Sequence, residues 1–382
     1  KFIFHIYSLN DINIIIIKKM KSKIILFIPC VDLGGVEKNF FLISNYLAKN
    51  KKNIIVISIS KNIKNRLNKN IKFISLSLNV WSKLNRRLKF ILGIFLLIKE
   101  VIKNKNSLVV SFQANIYCGL LSKLLGFNLI IRSNSSPEGW SKNFIKKFLY
   151  KVGLNAADKV IVNSKDFKNL IKKQFDVNAT TIYNPLNKKE IIKLSKKKIK
   201  FNFFEKEYLK IINIGRLEDQ KDHLTLLKAI RLIKNKIKIK LLIIGSGKEQ
   251  DKLCKYIEDN NLINNVKILN NISNPYPYLL RSDLFILSSV FEGLPNVLLE
   301  AITLDKFVIS TNCSTGPSEI LLNGKGGILV PIKNFKKMAK NIIYYYENKK
   351  KLKKKLIFAK KNLERFDFKT NLNSYLNILE QY

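Results

Sequence analysis

Short apolar runs rich in isoleucine, valine and leucine alternate with longer amphipathic stretches along most of the chain. Each apolar run predicts a β-strand, and each amphipathic stretch predicts a helix. In the first half, the predicted strands lie at 24–28, 54–59, 71–75, 108–111, 129–131 and 160–162. Continuously apolar strands separated by helices are typical of a parallel sheet that is covered on both faces.

The alternation stops near Tyr183 and restarts near Ile211, after a lysine-rich stretch without a pattern. In the second half, the predicted strands lie at 211–214, 241–244, 266–269, 284–287, 308–310 and 327–330. We therefore expect a first α/β domain at 20–195, a linker at 196–209, a second α/β domain at 210–365, and a helix at 366–382 that returns to the first domain. Two doubly wound units bind ligands at the carboxyl ends of their strands, so this order predicts a cleft between them.

The first 19 residues do not begin with Met and contain an apolar run at 12–17 next to basic residues. A small-residue cleavage site does not follow, which argues against a secretory signal peptide. We expect Met20 to be the start and residues 1–19 to be an upstream extension. The sequence also lacks the roughly 18–20 uninterrupted apolar residues that a membrane span needs.

The charge balance is strongly basic, with 70 Lys and Arg against 27 Asp and Glu and a net charge of +43. This charge favours anionic partners, although heavy use of Lys, Ile and Asn is also typical of translated AT-rich DNA. The sequence has no homeodomain, zinc-finger or RNA-recognition pattern, which argues against a nucleic-acid partner. Cys30, Cys118, Cys254 and Cys313 form no CxxC pair, and the chain has 2 His, so we expect reduced cysteines and no metal site.

Glycines mark two of the predicted strand-to-helix turns. Gly34 and Gly35 follow the first strand, and Gly245 follows the strand at 241–244. Glycine lets a phosphate approach the backbone, and a helix amino terminus offers free N–H groups to it. The alternative at both positions is an ordinary tight turn.

Two fixed positive charges follow the first strand of the second domain, at Arg216 and Lys221. Arginine binds phosphate oxygens as a fork and lysine binds them as a point charge, so the pair suits a diphosphate. The alternative is two solvated bases in a lysine-rich protein. His223, in the first turn of the next helix, is expected to be structural.

Two carboxylates flank the start of a helix in the segment from Phe291 to Ala301. Glu292 lies in the loop after the strand at 284–287, where it can accept hydrogen bonds from sugar hydroxyls. Glu300 lies within the helix, where its two oxygens match a ribose diol, and the N–H groups at Gly293 and Leu294 would face a phosphate. An exposed helical carboxylate is the alternative for Glu300, but its apolar neighbours in the sequence argue against it.

This segment resembles the Glu-x7-Glu motif of the family-4 retaining glycosyltransferases, which have the GT-B fold. Further segments resemble the same family in the same order, and they are Gly34-Gly35-Val36-Glu37, Ala157 to Ser164, Asn184-Pro185-Leu186, Gly215-Arg216-Leu217 with Gln220-Lys221, Thr315 to Leu321, and Gly326 to Pro331. The resemblance covers the chain from about Met20 to its end. It implies an α/β GT-B fold with two Rossmann-like domains that face each other across a cleft.

The resemblance implies a role for each matching residue. Arg216 and Lys221 would bind the donor diphosphate, and Glu300 would bind the ribose. Glu292 would bind the transferred sugar together with the backbone of Gly293 and Leu294. Gly34 and Gly35 would pass close to the phosphates from the other domain, and Arg216, Lys221 and Glu292 are the residues expected at the reacting centre. Gly245, from its place in a strand-to-helix turn, completes the expected donor site. Members of the family need no metal or cofactor.

One departure concerns the first domain, where many members have a His near the sugar. Here the matching segment contains Gln113 and no His. A related subset combines this pattern with Arg132-Ser133-Asn134, so Gln113, Arg132 and Asn134 are expected on the acceptor side. A base is then not required, because the leaving phosphate can accept the proton of the acceptor.

The segment from Trp81 to Phe90, followed by the apolar run 91–98, is typical of an interfacial helix. A buried helix with a basic outer turn is the alternative. The resemblance implies a nucleotide-sugar donor, preferably a UDP-sugar, and a glycan or polyprenyl-linked acceptor at the cytoplasmic face of the inner membrane. The segments Asn274 to Tyr278 and Gly316 to Glu319 are most similar to the branch that adds N-acetylhexosamines or related sugars. A nucleotide-sugar 2-epimerase and a non-catalytic binder of anionic glycolipid are the rival hypotheses.

Overall fold

The computed structural model describes residues 23–31, 34–51, 53–76, 84–134, 137 and 143–382. The expected upstream extension at 1–19, the expected start at Met20 and the part of the interfacial segment from Trp81 to Lys83 lie outside the described residues.

The first domain contains a parallel sheet that has seven strands within the described residues, in the order β3-β2-β1-β4-β5-β6-β7. The strands are β1 (Ile24–Phe27), β2 (Ile54–Ile57), β3 (Lys72–Ile74), β4 (Leu108–Ser111), β5 (Asn128–Arg132), β6 (Lys159–Val162) and β7 (Ala179–Thr181). Strand β1 pairs with both β2 and β4, so that Ile24 lies beside Ile54 and Leu108. Strand β7 was not predicted, because its residues do not form an apolar run.

Helices cover both faces of this sheet. They are α1 (Gly35–Asn50), α2 (Arg86–Lys103), α3 (Asn115–Leu125), α4 (Phe144–Asn155) and α5 (Lys165–Phe175). The side chains of Asn85, Asn143 and Ser164 accept hydrogen bonds from N–H groups in the first turns of α2, α4 and α5. These caps satisfy donors that a helix start otherwise leaves without partners, so these three helices begin where such a residue occurs.

The second domain contains a parallel sheet of six described strands in the order β10-β9-β8-β11-β12-β13. The strands are β8 (Leu209–Ile214), β9 (Ile239–Ile244), β10 (Val266–Leu269), β11 (Leu284–Leu287), β12 (Phe307–Thr311) and β13 (Ile328–Val330). The helices between and after them are α7 (His223–Ile233), α8 (Gln250–Asp259), α9 (Tyr276–Arg281), α10 (Asn296–Thr303), α11 (Pro317–Ile320), α12 (Phe335–Glu347) and α13 (Lys349–Lys361). The predicted pair of doubly wound α/β units is thus present.

Two connecting segments lie against the domains. Helix α6 (Lys188–Ser195) occupies part of the lysine-rich stretch, and its Ile191 is buried in a cluster with Tyr276 and Leu298 of the second domain. Helix α14 (Phe368–Leu379) buries Leu372 and Tyr375 in the core of the first domain. The last helix therefore packs on the first sheet, although the chain reaches it from the second domain.

Candidate active site

The strand order reverses between β1 and β4 in the first sheet and between β8 and β11 in the second. Ligands of doubly wound sheets bind at the carboxyl ends of the strands at such reversals. Gln113 follows β4, Arg216 follows β8, and Glu292 follows β11. These three predicted site residues, from both halves of the sequence, therefore follow strands that lie at the two reversals.

Lys221 and Glu292 form an ion pair between the loops that follow β8 and β11. The Lys221 Nζ lies 2.6 Å from Glu292 Oε1, and the two side chains are 16% and 8% exposed. Ser289 Oγ donates to the same carboxylate oxygen at 2.6 Å. The two loops are further joined because Gln220 Nε2 donates to the Phe291 carbonyl at 2.8 Å. The pair thus holds the Lys221 ammonium in a fixed place at the sheet edge.

Arg216 lies on the rim of this site and is exposed, whereas the next residue, Leu217, is fully buried. The Leu217 N–H donates to the Ser246 carbonyl at 3.0 Å. The buried Leu217 anchors the loop, and the guanidinium of Arg216 remains accessible to a ligand.

Gly245 and Gly293 are required by close backbone contacts. A Cβ at Gly245 would lie 1.9 Å from the Gly215 carbonyl oxygen, within the same domain. A Cβ at Gly293 would lie 2.2 Å from the Asn134 carbonyl oxygen, which belongs to the first domain. No side chain fits at either distance, so Gly245 fixes the contact between the β8 and β9 loops and Gly293 allows the two domains to meet.

Glu300 lies on α10 and is held from two sides. Its Oε1 accepts a hydrogen bond from Lys38 Nζ at 2.5 Å and one from Tyr276 Oη at 3.2 Å. Burial acts to lower the pKa of Lys38, but the Glu300 carboxylate and the Tyr276 hydroxyl outweigh it, so the pKa is raised. Burial, and then Glu300, raise the pKa of Tyr276. Lys38 is therefore charged and Tyr276 neutral at ordinary pH.

Gly34 and Gly35 lie exposed at the amino terminus of α1, facing the second domain. A Cβ at Gly35 would lie 3.4 Å from Asn296 Nδ2. That amide donates to Asn39 Oδ1 at 3.3 Å, which joins α1 to α10. The predicted glycine turn of the first domain thus lies directly opposite the helix that carries Glu300.

The three residues expected on the acceptor side have different surroundings. Gln113 Oε1 accepts from the Cys30 N–H at 3.3 Å and joins the loops after β1 and β4. Asn134 Nδ2 donates to the Phe112 carbonyl at 3.3 Å at the same edge. Arg132 is 0% exposed, so the structure places it inside the first domain and not at the surface of the cleft.

The buried Arg132 supports the contact between the domains instead. Its Nη2 donates to Asn184 Oδ1 at 2.8 Å. The amide group of Asn184 in turn donates to the Leu294 carbonyl at 3.2 Å and to Asn296 Oδ1 at 2.7 Å. Arg132 therefore orients Asn184, and Asn184 holds the loop that follows Glu292.

His223 has the structural surroundings that its position at the start of α7 predicts. Its Nε2 lies 3.0 Å from Asn213 Oδ1, and Asn213 Nδ2 donates to the Ile286 carbonyl. The amide oxygen is thus the acceptor and His223 Nε2 the donor. Burial, and then the charge of Lys221, lower the pKa of His223 to about 3. The imidazole is therefore neutral, and it holds Asn213, whose amide joins β8 to β11.

Several site residues were not singled out from the sequence, namely Lys38, Asn184, Tyr276, Ser289 and Asn296. Four of them lie in or next to segments that carry the resemblance. Lys38 follows Gly34 to Glu37, Asn184 begins Asn-Pro-Leu, Tyr276 lies in the Asn274 to Tyr278 segment, and Asn296 lies in the Phe291 to Ala301 segment. Their partners are far away in the sequence, so spacing alone does not reveal them.

A second surface lies on α2, α3 and α4. Large apolar side chains are exposed there at helical spacing, including Phe95 at 62%, Leu124 at 78% and Phe144 at 81%. Helices α3 and α4 touch through backbone at Gly119 and Gly153, and α3 also contacts α2. We call the exposed apolar residues of these three adjacent helices the three-helix apolar face. Of the described helices, none is both long and apolar enough to cross a membrane.

Comparison with protein families gives two matches that follow one another along the chain. Residues 33–190 match the model described as Glycosyltransferase Family 4, and residues 195–362 match the model described as Glycosyl transferases group 1. The boundary between the matches lies at the end of α6, between the two sheets.

Curated relatives include an uncharacterized glycosyltransferase of Methanocaldococcus jannaschii, which is 37% identical over 208 residues. That alignment covers 51% of this chain and 50% of the relative, so the chain spans about half the length of that protein. A second is the N-acetylgalactosamine-N,N'-diacetylbacillosaminyl-diphospho-undecaprenol 4-alpha-N-acetylgalactosaminyltransferase of Campylobacter jejuni. It is 27% identical over 258 residues, which are 66% of this chain and 70% of the relative.

Among solved structures, Anabaena Alr3699/HepE in complex with UDP is similar over 94% of this chain and 100% of that chain. The TM-score is 0.73 and the sequence identity is 17%. The same protein in complex with UDP-glucose gives a TM-score of 0.74. With the two parallel sheets, these similarities confirm the predicted GT-B fold.

Proposed function

Because the chain belongs to the family-4 glycosyltransferases, we propose that it transfers a hexose or N-acetylhexosamine from a nucleotide diphosphate sugar to a lipid-linked or surface-polysaccharide acceptor. The observation that carries the proposal is the Lys221–Glu292 pair at the reversal between β8 and β11, with the exposed Arg216 beside it. The pair offers a positive charge for a phosphate and a carboxylate for a sugar at one sheet edge. The solved relative in complex with UDP-glucose supports a UDP-sugar as the donor.

The donor diphosphate would lie between Arg216 and Lys221, with the transferred sugar toward Glu292. The Lys221 ammonium is fixed by Glu292, so it need not be reoriented when the phosphate arrives. Glu300, in the second turn of α10, would hold the ribose hydroxyls.

We propose a retaining, front-face reaction. The bond between the anomeric carbon and the leaving phosphate oxygen breaks, and the acceptor oxygen bonds to the same face of that carbon. The acceptor proton passes to the leaving phosphate oxygen. Arg216 and Lys221 stabilise the charge that develops on the diphosphate, which is a large term in such reactions. Because these two residues supply the positive charge, we expect no metal to be required.

The acceptor would approach from the first domain, past Gln113 and Asn134. The Campylobacter jejuni relative is named for a diphospho-undecaprenol acceptor, which supports a lipid-linked acceptor for this chain. The three-helix apolar face supports contact with a bilayer, since apolar patches of this kind mark interaction surfaces. Basic residues such as Arg86, Lys99 and Lys146 lie on the same helices and would favour anionic lipids, as at the cytoplasmic face of an inner membrane.

The test is incubation of the folded protein with UDP-, GDP- and ADP-sugars, with and without a membrane extract, and measurement of nucleotide diphosphate release. Release that depends on the extract supports transfer. Conversion of the sugar to its epimer without an acceptor would indicate the 2-epimerase instead. Absence of release with every donor, for protein of confirmed fold, would overturn the transferase proposal.

A further inference from the structure

Lys38 lies at an unfavourable place for a positive charge. It is the fourth residue of α1, and the amino terminus of a helix carries partial positive charge. Its side chain extends from the first domain to the second, where Nζ lies 2.5 Å from Glu300 Oε1 and 2.6 Å from Tyr276 Oη. Both of these contacts belong to the other domain, and they offset the cost of the position.

The face of α10 opposite Lys38 is arranged to receive it. Asn296 and Glu300 are four residues apart and lie on one face of the helix. Asn296 donates to Asn39 and Glu300 accepts from Lys38, so consecutive residues of α1 meet consecutive turns of α10. The Glu300 side chain is 7% exposed and that of Lys38 is 36% exposed, so the ammonium closes the carboxylate off from the cleft.

We propose that Lys38 is an intramolecular ligand of Glu300 that closes the donor-free cleft and leaves the carboxylate when the ribose of the donor binds. The proposal rests on the proposed function, because it takes Glu300 as the ribose-binding group. The Oε1 atom that holds Lys38 is one of the two oxygens that a ribose diol requires. Donor binding therefore exchanges one partner of Glu300 for another.

This exchange makes Lys38 a determinant of donor affinity. Each donor must displace an ammonium from a carboxylate that is nearly out of contact with water. Because Lys38 is itself partly exposed, the displacement costs only a modest free energy, and the ion pair opens readily when a ribose competes for it. The released ammonium regains water at the mouth of the cleft.

The experiment compares Lys38→Met, Glu300→Gln and Lys49→Met with the unchanged protein. Lys49→Met is the matched control, since Lys49 is an exposed lysine in the last turn of the same helix. Hydrogen–deuterium exchange in the absence of nucleotide is measured for peptides that cover 35–45 and 296–303. Calorimetric titration with UDP then gives the dissociation constant of each protein.

We expect Lys38→Met and Glu300→Gln both to accelerate exchange in the two peptides, because each breaks the ion pair. Their effects on UDP should be opposite. Lys38→Met should tighten UDP binding by roughly three- to ten-fold, as expected when a partly exposed ion pair no longer competes, and Glu300→Gln should weaken it. Lys49→Met should change neither quantity.

Weaker UDP binding by Lys38→Met would overturn the proposal, because it would show that Lys38 contacts the donor. Unchanged exchange in the 35–45 and 296–303 peptides would also overturn it. If the unchanged protein binds no UDP, the proposed UDP donor fails. The exchange measurement without nucleotide then still decides whether Lys38 holds the cleft closed.

Discussion

The carboxyl edges of the two sheets differ in charge. The edge of the second sheet carries Arg216, Lys221 and Glu292, whereas the edge of the first carries the amides Gln113 and Asn134. The charged groups are fixed within one domain, as the Lys221–Glu292 pair shows. We therefore expect a charged donor to be bound and stabilised mainly by the second domain, while the first domain supplies these amides and the Lys38 ammonium that reaches across to Glu300.

The largest expected effect comes from removal of a positive charge from the charged edge, by which we mean Arg216, Lys221 and Glu292 at the carboxyl edge of the second sheet. Arg216→Ala removes a positive charge that should act mainly on the developing diphosphate, so kcat should fall by roughly 10²- to 10³-fold. Steady-state kinetics with the identified donor and acceptor measure the change, with Arg231→Ala on the exposed side of α7 as the control. A raised KM with an unchanged kcat would show that Arg216 only binds the donor.

A second prediction concerns the contact between the two sheet edges, which a larger residue in place of Gly293 would block. Gly293→Ala places a methyl group 2.2 Å from the Asn134 carbonyl oxygen and so prevents the domains from meeting. Misplacement of reacting groups by about 1 Å can cost on the order of 100-fold in rate, and we expect a loss of that size. Transfer rate and melting temperature are measured together. Normal activity of Gly293→Ala would show that this contact does not form during the reaction.

A third prediction compares the exposed apolar residues of the first domain with those of the second. The double variant Phe95→Ser, Phe144→Ser removes two exposed aromatic groups from the three-helix apolar face. Binding to liposomes that contain anionic lipid should weaken by at least about 100-fold, since burial of each of the two side chains contributes about 1.5–3 kcal/mol. The matched control replaces Leu232 and Ile263, exposed apolar residues of the second domain, with Ser. Equal binding by both double variants would count against a membrane role for the face.

The smallest expected effect concerns His223, which lies at the start of α7 and contacts Asn213 of β8. The pKa of His223 is lowered to about 3 in the folded protein, against an ordinary value of 6.5. Below pH 6.5 the unfolded chain takes up a proton on His223 that the folded protein does not. The contribution of His223 to the free energy of unfolding is therefore fully present above pH 6.5 and is lost as the pH falls toward 3. Between pH 7 and pH 5 this group should cost about 2 kcal/mol in the free energy of unfolding.

Urea unfolding of the unchanged protein and of His223→Gln at the two pH values tests this prediction. Glutamine can donate to Asn213 in place of the imidazole but does not titrate. The loss of stability between pH 7 and pH 5 should therefore be smaller in the variant. An equal loss in both proteins would show that another group causes it.

The local pattern of apolar residues was sufficient to predict the two sheets and the positions of the charged residues that follow their strands. The apolar runs predicted every described strand except β7, because a strand buried on both faces must be apolar along its length. The positions of Arg216, Lys221 and Glu292 after strands follow from the same pattern. Helix α6 and strand β7 were missed because neither has enough apolar residues to stand out from a lysine-rich background.

The sequence by itself determined the two α/β units, their order and the residues at the ends of their strands, because hydrophobic periodicity and motif spacing are local properties. Only the tertiary structure decided that Lys38 closes on Glu300, that Arg132 lies buried behind Asn184, and that Gly293 meets Asn134. These contacts join residues from 50 to more than 200 positions apart, and they depend on how two separately folded sheets face each other. No periodicity within either half specifies which side chains will meet across the cleft.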